Sequence, residues 1–229
     1  MAERSDKPGA VLQNEAVAPA ALLEDWLRER GLPHRTVPVW EAEVPDDPRE
    51  FAWVAALGAE DSVTQSEPAW VPAEIEFLRR AVEADVPVLG LCFGGQALSA
   101  ALGGEISPAM PPSIGWFEIE TDDPEVVPEG PWAHFNLETF SVPARAAQLA
   151  RSPRGPGAFR LGPHLGLQFH PEATPAVVNR WSDGEAEKLA ALGLDPAEIR
   201  AQGERWGAQA AEHAFRLFDG WRRLALAPA

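Results

Sequence analysis

The sequence predicts an α/β domain with a mixed, largely parallel sheet flanked by helices. Three observations lead there. Short apolar runs alternate with amphipathic stretches through the first hundred residues, the later runs end on glycine turns, and "VPVLGLCFGGQALSAALGG" (86–104) passes from strand to small-residue helix with no linker. Successive strand–helix units of this kind require right-handed crossovers, with helices on both faces.

The elements follow in order. "GAVLQ" (9–13) reads as a short strand, and "APAALLEDWLRERG" (18–31) as a helix with Leu22, Leu23, Trp26 and Leu27 on one side and Gly31 at its end. "RTVPVW" (35–40) is β-rich, but Pro38 lacks an N–H for the ladder, which puts it at a sheet edge. "FAWVAALG" (51–58) is a buried strand running into a glycine turn. "VPAEIEFLRRAVEAD" (71–85) is a helix with Pro72 near its start and Ile75, Leu78 and Val82 at apolar positions. "VPVLGL" is the next strand, and the helix after it closes on Gly103 and Gly104.

From 105 to about 170, short β-like runs such as "SIGWFEIE" and "HLGLQFH" are broken by proline-rich loops. Beyond Glu172 the chain turns helical, with "PAVVNRWSDG", "EAEKLAALG" and a long segment opening at "DPAEIR". There Asp195 is the N-cap, Pro196 takes the first helical position and Glu198 completes a capping-box pattern. Ile199, Trp206, Ala210, Leu217, Phe218, Trp221 and Leu224 give this helix one apolar face, for its own domain or for a second copy in a homodimer. The expected division is a main domain over 1–180 and a helical C-terminal extension over 181–229 packed on it.

Composition excludes several classes of function. The 229 residues carry 19 basic and 35 acidic side chains, a net charge of −16, which disfavours nucleic acid and anionic membranes. A single cysteine excludes an internal disulfide framework. No apolar stretch approaches the roughly 20 residues that span a bilayer, and "MAERSDKPGA" lacks the apolar core of a signal peptide, so a cytoplasmic location is expected. Nucleotide and metal signatures are missing, and His134 and Glu138 find no further ligands, so no cofactor or metal is expected.

The single thiol, Cys92, sits on the bend between strand and helix. Gly90 and Gly94 flank it in a G-x-C-x-G pattern, where larger side chains collide as the backbone reverses. The helix N-terminus beyond favours a thiolate, and the Phe93 amide, directly after the sulfur, is a candidate oxyanion donor. A buried structural cysteine is the alternative. A thiolate nucleophile needs a base, and the base needs a group that orients it. "GLQFHPE" supplies both, with His170 at a strand end and Glu172 two residues on.

On these residues the chain resembles the class I glutamine amidotransferases, and in particular a stand-alone GMP-synthase-like domain of that family. "GLCFGGQ" is similar to the first family signature and "GLQFHPE" to the second, in the right order, within a resemblance that covers roughly residues 10–180. It implies a flavodoxin-like fold and a Cys92–His170–Glu172 triad that attacks the side-chain amide of L-glutamine. The products implied are a γ-glutamyl thioester with ammonia, and then glutamate. It also implies that Gln96 helps hold the substrate, that Ala59 supplies the second oxyanion amide, and that Asn136, Leu137 and Glu138 lie beside the substrate amino acid. The domain that uses the ammonia is not in these residues, so a separate synthetase is the implied partner.

Two departures bear on this. Relatives read Gly-Gly-Pro where this chain has Gly58-Ala59-Glu60, which strains Ala59 if the loop needs a positive φ there. In "HFNLETF" (134–140), Asn136 stands for a histidine and Leu137 for a glycine. These leave two rivals: a γ-glutamyl hydrolase acting on a conjugate, and a catalytically silent domain that binds and regulates a partner. For either enzyme, activity is expected to fall on the acid side as His170 becomes protonated and stops acting as a base.

Overall fold

A computed structural model describes residues 7–226; the first six residues of the polar N-terminal segment lie outside it. Ten strands and six helices follow in chain order: β1 (Gly9–Gln13), α1 (Leu22–Glu29), β2 (His34–Pro38), β3 (Val54–Ala56), α2 (Trp70–Glu83), β4 (Val88–Leu91), α3 (Phe93–Ala101), β5 (Ile106–Phe117), β6 (Glu120–Thr121), β7 (Trp132–Phe140), β8 (Ala147–Ser152), β9 (Gly155–Leu161), β10 (His164–Leu167), α4 (Pro175–Gly184), α5 (Ala186–Ala191) and α6 (Pro196–Leu226). The main sheet has the order β2-β1-β3-β4-β10-β9-β8-β6. Its first five strands are parallel and its last three run antiparallel to their neighbours, which makes the sheet mixed. β2 is an edge strand, where the missing N–H of Pro38 costs nothing.

Side-chain alternation divides the parallel strands between two cores. Val11, Ala55, Leu89 and Leu91 face one side, where α1 and α6 contribute Leu23, Trp26, Leu27, Leu217, Phe218 and Trp221. Leu12, Val54, Ala56 and Val88 face the other, under Val71, Phe77, Leu78 and Ala81 of α2 and Ala97 and Leu98 of α3. The face of α2 turned inward is therefore 71, 74, 77, 78 and 81. Ile75 and Val82 are only partly buried, one step around the helix from the face expected.

β5 and β7 form a second, two-stranded antiparallel sheet. β5 contains Pro108, Pro111 and Pro112, and the pairing slips between Pro108 and Ser113, so the prolines sit where the ladder is interrupted. Beneath this sheet, Ile114, Trp116, Val177, Val178, Ile199 and Ala210 make a third core that joins α4 and the start of α6 to the domain.

Helix α6 is fastened along its length. Asp195 caps it by accepting from Ala197 N (2.8 Å). Asp219 accepts from Trp26 Nε1 (3.0 Å) and pairs with Arg30 (2.8 Å), and Trp221 stands edge-on to Trp53. Phe218 and Trp221 are thus core residues of their own domain, while Trp206 and Leu224 of the same stripe are only partly buried. Among the described residues, no helix is long and apolar enough to cross a membrane. Trp221 is 2 % exposed and donates to the Pro163 carbonyl. Replacing it with alanine should lower stability by about 3–5 kcal/mol, read as a shifted urea midpoint with an unchanged slope. A shift below about 1 kcal/mol would show that α6 is not integral to the fold.

Candidate active site

The site lies at the carboxyl ends of β3, β4 and β10, where α/β sheets bind their ligands. Cys92 joins β4 to α3 with φ 51° and ψ −105°, a left-handed conformation that a non-glycine residue adopts only when its surroundings impose it. Those surroundings are visible. Cys92 N donates to Leu167 O (2.9 Å) on β10, and Cys92 O accepts from Gln96 N (2.9 Å) to open the helix. A Cβ on Gly94 would lie 2.1 Å from the Ala56 carbonyl, and one on Gly90 2.3 Å from the Gly94 carbonyl. The first turn of α3 can press onto β3 and β4 only because both are glycine.

His170 follows β10 and is aimed by its backbone, its N–H donating to Ala133 O (2.8 Å) on β7. Its Nδ1 meets Glu172 Oε1 at 2.7 Å, with both side chains at most 5 % exposed. The Trp181 ring covers the imidazole at 4.7 Å between centroids. Cys92 faces the same ring across Gly58, where an added Cβ would lie 2.7 Å from His170 Cε1 and 3.7 Å from Cys92 Cβ. Burial works against a charged imidazole, but the sulfur and then the Glu172 carboxylate outweigh it and push His170 up to about 10. The sign expected of an ordinary histidine is therefore reversed. At neutral pH the ring holds its proton, so the acid-side loss of a neutral base is not what this geometry supports.

The turn after β3 approaches from the other side. A Cβ on Gly58 would come within 2.7 Å of His170 Cε1, so only glycine fits there. The non-glycine residues with positive φ are Ala21, Asp85 and Cys92; Ala59 is not one of them, and the strain anticipated at that position is absent. Neither Ala59 N–H nor Phe93 N–H donates to any group among the described residues, which leaves both free for a ligand.

Cys92, His170 and Ala59 line one cavity of about 370 Å³ together with Gln96, Asn136, Leu137 and Glu138, while the sequence-predicted Glu172 and Phe93 are outside its lining, Glu172 reaching it only through His170. Gln96 Nε2 (3.1 Å) and Asn136 Nδ2 (2.9 Å) both donate to the Glu138 carbonyl, tying α3 to β7 across the cavity. Asn136 Oδ1 is buried there without a partner. Leu137 stands 39 % exposed at the mouth. His134 is apart from this space, fully buried between Phe117 and Phe169 and held neutral by burial, its pKa lowered to about 3.

Sequence reasoning missed the contribution of α4 and α5. Trp181, Arg180, Glu185 and Lys188 line the cavity opposite β3, and Lys188 bridges Glu185 (2.8 Å) and Glu60 (3.0 Å). The one local signal was the proximity of Trp181 to His170 along the chain.

Residues 62–180, over half of the chain, match the Glutamine amidotransferase class-I family. The chain belongs to that family. Among curated relatives, GMP synthase [glutamine-hydrolyzing] of Aeropyrum pernix is 30% identical over 182 residues, 75% of this chain and 34% of that protein. A GMP synthase [glutamine-hydrolyzing] subunit of Ignicoccus hospitalis is 33% identical over 95 residues, 38% of this chain and 50% of that one. The chain thus spans between a third and a half of these relatives. A solved glutamine amido transferase from Methylobacillus flagellatus superposes with a TM-score of 0.87 at 27% identity, covering 97% of this chain and 96% of that one. A glutamine amidotransferase from Thermotoga maritima, 21% identical, shares the fold over 96% of this chain and 99% of that one, with a TM-score of 0.84. The protein is therefore an enzyme of the class I amidotransferase type, with that family's mixed sheet.

A charged His170 is directly testable. In ring-nitrogen NMR the imidazole should stay doubly protonated from pH 5.5 to 8.5, about two units above the range of a free histidine. Removing the sulfur in Cys92→Ala should move its titration to lower pH. A ring that titrates near 6.5 in the wild type would overturn the ion-pair assignment.

Proposed function

We propose that this domain hydrolyses the side-chain amide of L-glutamine and releases ammonia for a separate acceptor enzyme. The observation that carries the reading is the strained Cys92 facing, across Gly58, a buried His170 that Glu172 holds at 2.7 Å. In the proposed mechanism the Cys92 thiolate adds to the amide carbon, and the Ala59 and Phe93 amides receive the oxyanion. His170 passes its proton to the amide nitrogen, the C–N bond breaks, and ammonia leaves a γ-glutamyl thioester. The ring, now neutral, takes a proton from water as the hydroxide adds. The tetrahedral adduct then collapses to glutamate and expels the thiolate, which restores the ion pair. Glu172 keeps the proton-bearing ring in one orientation through both halves.

Family membership and the similarity to a GMP synthase subunit support glutamine as donor and a synthetase as partner. A second reading, hydrolysis of a γ-glutamyl conjugate, is favoured by one observation. The Asn136–Leu137 edge presents an unpartnered carbonyl and an exposed apolar side chain to an open cavity, a surface suited to a substituent on the amide. A silent regulatory role gives no reason to keep a strained cysteine against a buried charged histidine.

The deciding measurement is intact mass after incubation with a diazo-ketone glutamine analogue, alongside ammonia release. One adduct in the wild type, absent in Cys92→Ser, is expected. Cys92→Ala and His170→Ala should each lose at least about a thousandfold in turnover, and Glu172→Gln about a hundredfold or more with the fold intact. Ammonia release that survives either alanine variant would sink the proposal, and conjugates cleaved far faster than glutamine would select the second reading.

A further inference from the structure

Helix α2 turns one acid into the core. Glu74 is fully buried, and its one hydrogen bond comes from Asn14 Nδ2 to Oε1 at 3.3 Å. Its Oε2 has no partner, and neither does Asn14 Oδ1. Asn14 stands at the end of β1, where the same Nδ2 also donates to the Leu57 carbonyl at 3.0 Å. That carbonyl takes a second bond from Gly94 N (3.1 Å), on the first turn of α3. Leu57 leads into Gly58, which faces the His170 ring, and Ala59, whose N–H is free. The next residue of β1's exit, Glu15, holds the far end of this turn by accepting from Glu60 N. Two adjacent side chains thus clamp the turn at both ends, and a buried carboxyl stands behind one of them.

Donor counting fixes the state of that carboxyl. Asn14 offers two N–H groups and has given both, which leaves two acceptors, Asn14 Oδ1 and Glu74 Oε2, with no donor between them. An acid proton on Glu74 is the one donor the pair lacks. Burial favours the same state, pushing Glu74 up to about 8 against the smaller opposing effect of Asn14. No charged side chain on α2, α3, β1, β3 or β4 bears on it.

We propose that Glu74, as a neutral acid paired with Asn14, is a positioning residue for the Leu57–Ala59 turn and hence for the oxyanion donor at Ala59. The inference rests on the amidase reading of the site for its catalytic consequence. Ionisation removes the acid proton that the proposal pairs with Asn14 and places a charge behind the turn. The Ala59 amide then loses its aim, which costs the transition state more than it costs the bound substrate.

The test compares the wild type with Glu74→Gln, which keeps the shape and a permanent donor, and with Glu74→Leu, which removes the polar group. In amide NMR the Ala59 signal should shift with a midpoint near pH 8 in the wild type, and this step should vanish in Glu74→Gln. In steady-state kinetics kcat should begin to fall near pH 8 in the wild type, with the fall moved to higher pH in Glu74→Gln. At pH 7, Glu74→Leu should lose about tenfold or more in kcat with KM within about twofold. Its alkylation by iodoacetamide, a displacement that uses no oxyanion hole, should stay within about twofold. An Ala59 step that persists in Glu74→Gln, or an alkaline limb that does not move, overturns the proposal. So does Glu74→Leu retaining full kcat, or losing alkylation in parallel with kcat. A wild type that shows the Ala59 step but hydrolyses neither glutamine nor a γ-glutamyl conjugate overturns the amidase reading instead.

Discussion

The backbone reversal at Cys92 is the constraint on which the rest of the site depends. A non-glycine residue at φ 51° carries a cost of order 1–3 kcal/mol, and it persists only where neighbours leave no alternative. Here β10 holds the Cys92 N–H, α3 holds its carbonyl, and two glycines allow α3 to sit against β3 and β4 at backbone distance. Phe93 is the first residue of α3, so its N–H has no partner in the helix ladder, and the glycines at 90 and 94 let that helix start pack against β3 and β4.

Burial sets the electrostatics of what surrounds the sulfur. Removing water around His170 penalises a charged ring, and the penalty is overcome because a sulfur and a carboxylate flank it on two sides. His134, on β7 and just as deeply buried, has no such neighbours and is held neutral. Two histidines in similar dryness are thus driven to opposite states by their partners. Trp181 keeps water from the charged one, so the long-range packing of α4 is part of its chemistry.

Much of this was legible in the sequence, for reasons of range. Cys92, Gly90 and Gly94 lie within five residues, and His170 and Glu172 within three, so their mutual geometry is local and survives as a pattern. The parallel strands were legible because glycine turns and helical stretches punctuate them. The paired sheet of β5 and β7 was not, since three prolines argue against a strand and only the slipped register shows how they are accommodated. Glu74 was hidden because the apolar positions 75, 78 and 82 suggested a face rotated by one residue, and a carboxyl inside a helix–sheet core runs against composition. Arg180, Trp181 and Lys188 reach the cavity through tertiary folding alone.

The cavity wall divides into two parts held in different ways. The nucleophile and the oxyanion turn are fixed by backbone bonds of the central parallel strands and by glycine contacts that no side chain can replace, while His170 is held from β7 through the Ala133 carbonyl. The opposite wall, from β7, α4 and α5, is joined to the centre by side-chain bonds such as Gln96 to the Glu138 carbonyl and Lys188 to Glu60. A substitution at Leu137 or Lys188 on that second wall changes the cavity lining without touching the backbone bonds of Cys92. Asn136 and Leu137 lie on this second wall. Ala59 falls in the fixed part, where it offers a free N–H and needs no positive φ. The β7 edge thus shapes one side of the cavity, while the ends of β3, β4 and β10 set the backbone geometry around Cys92.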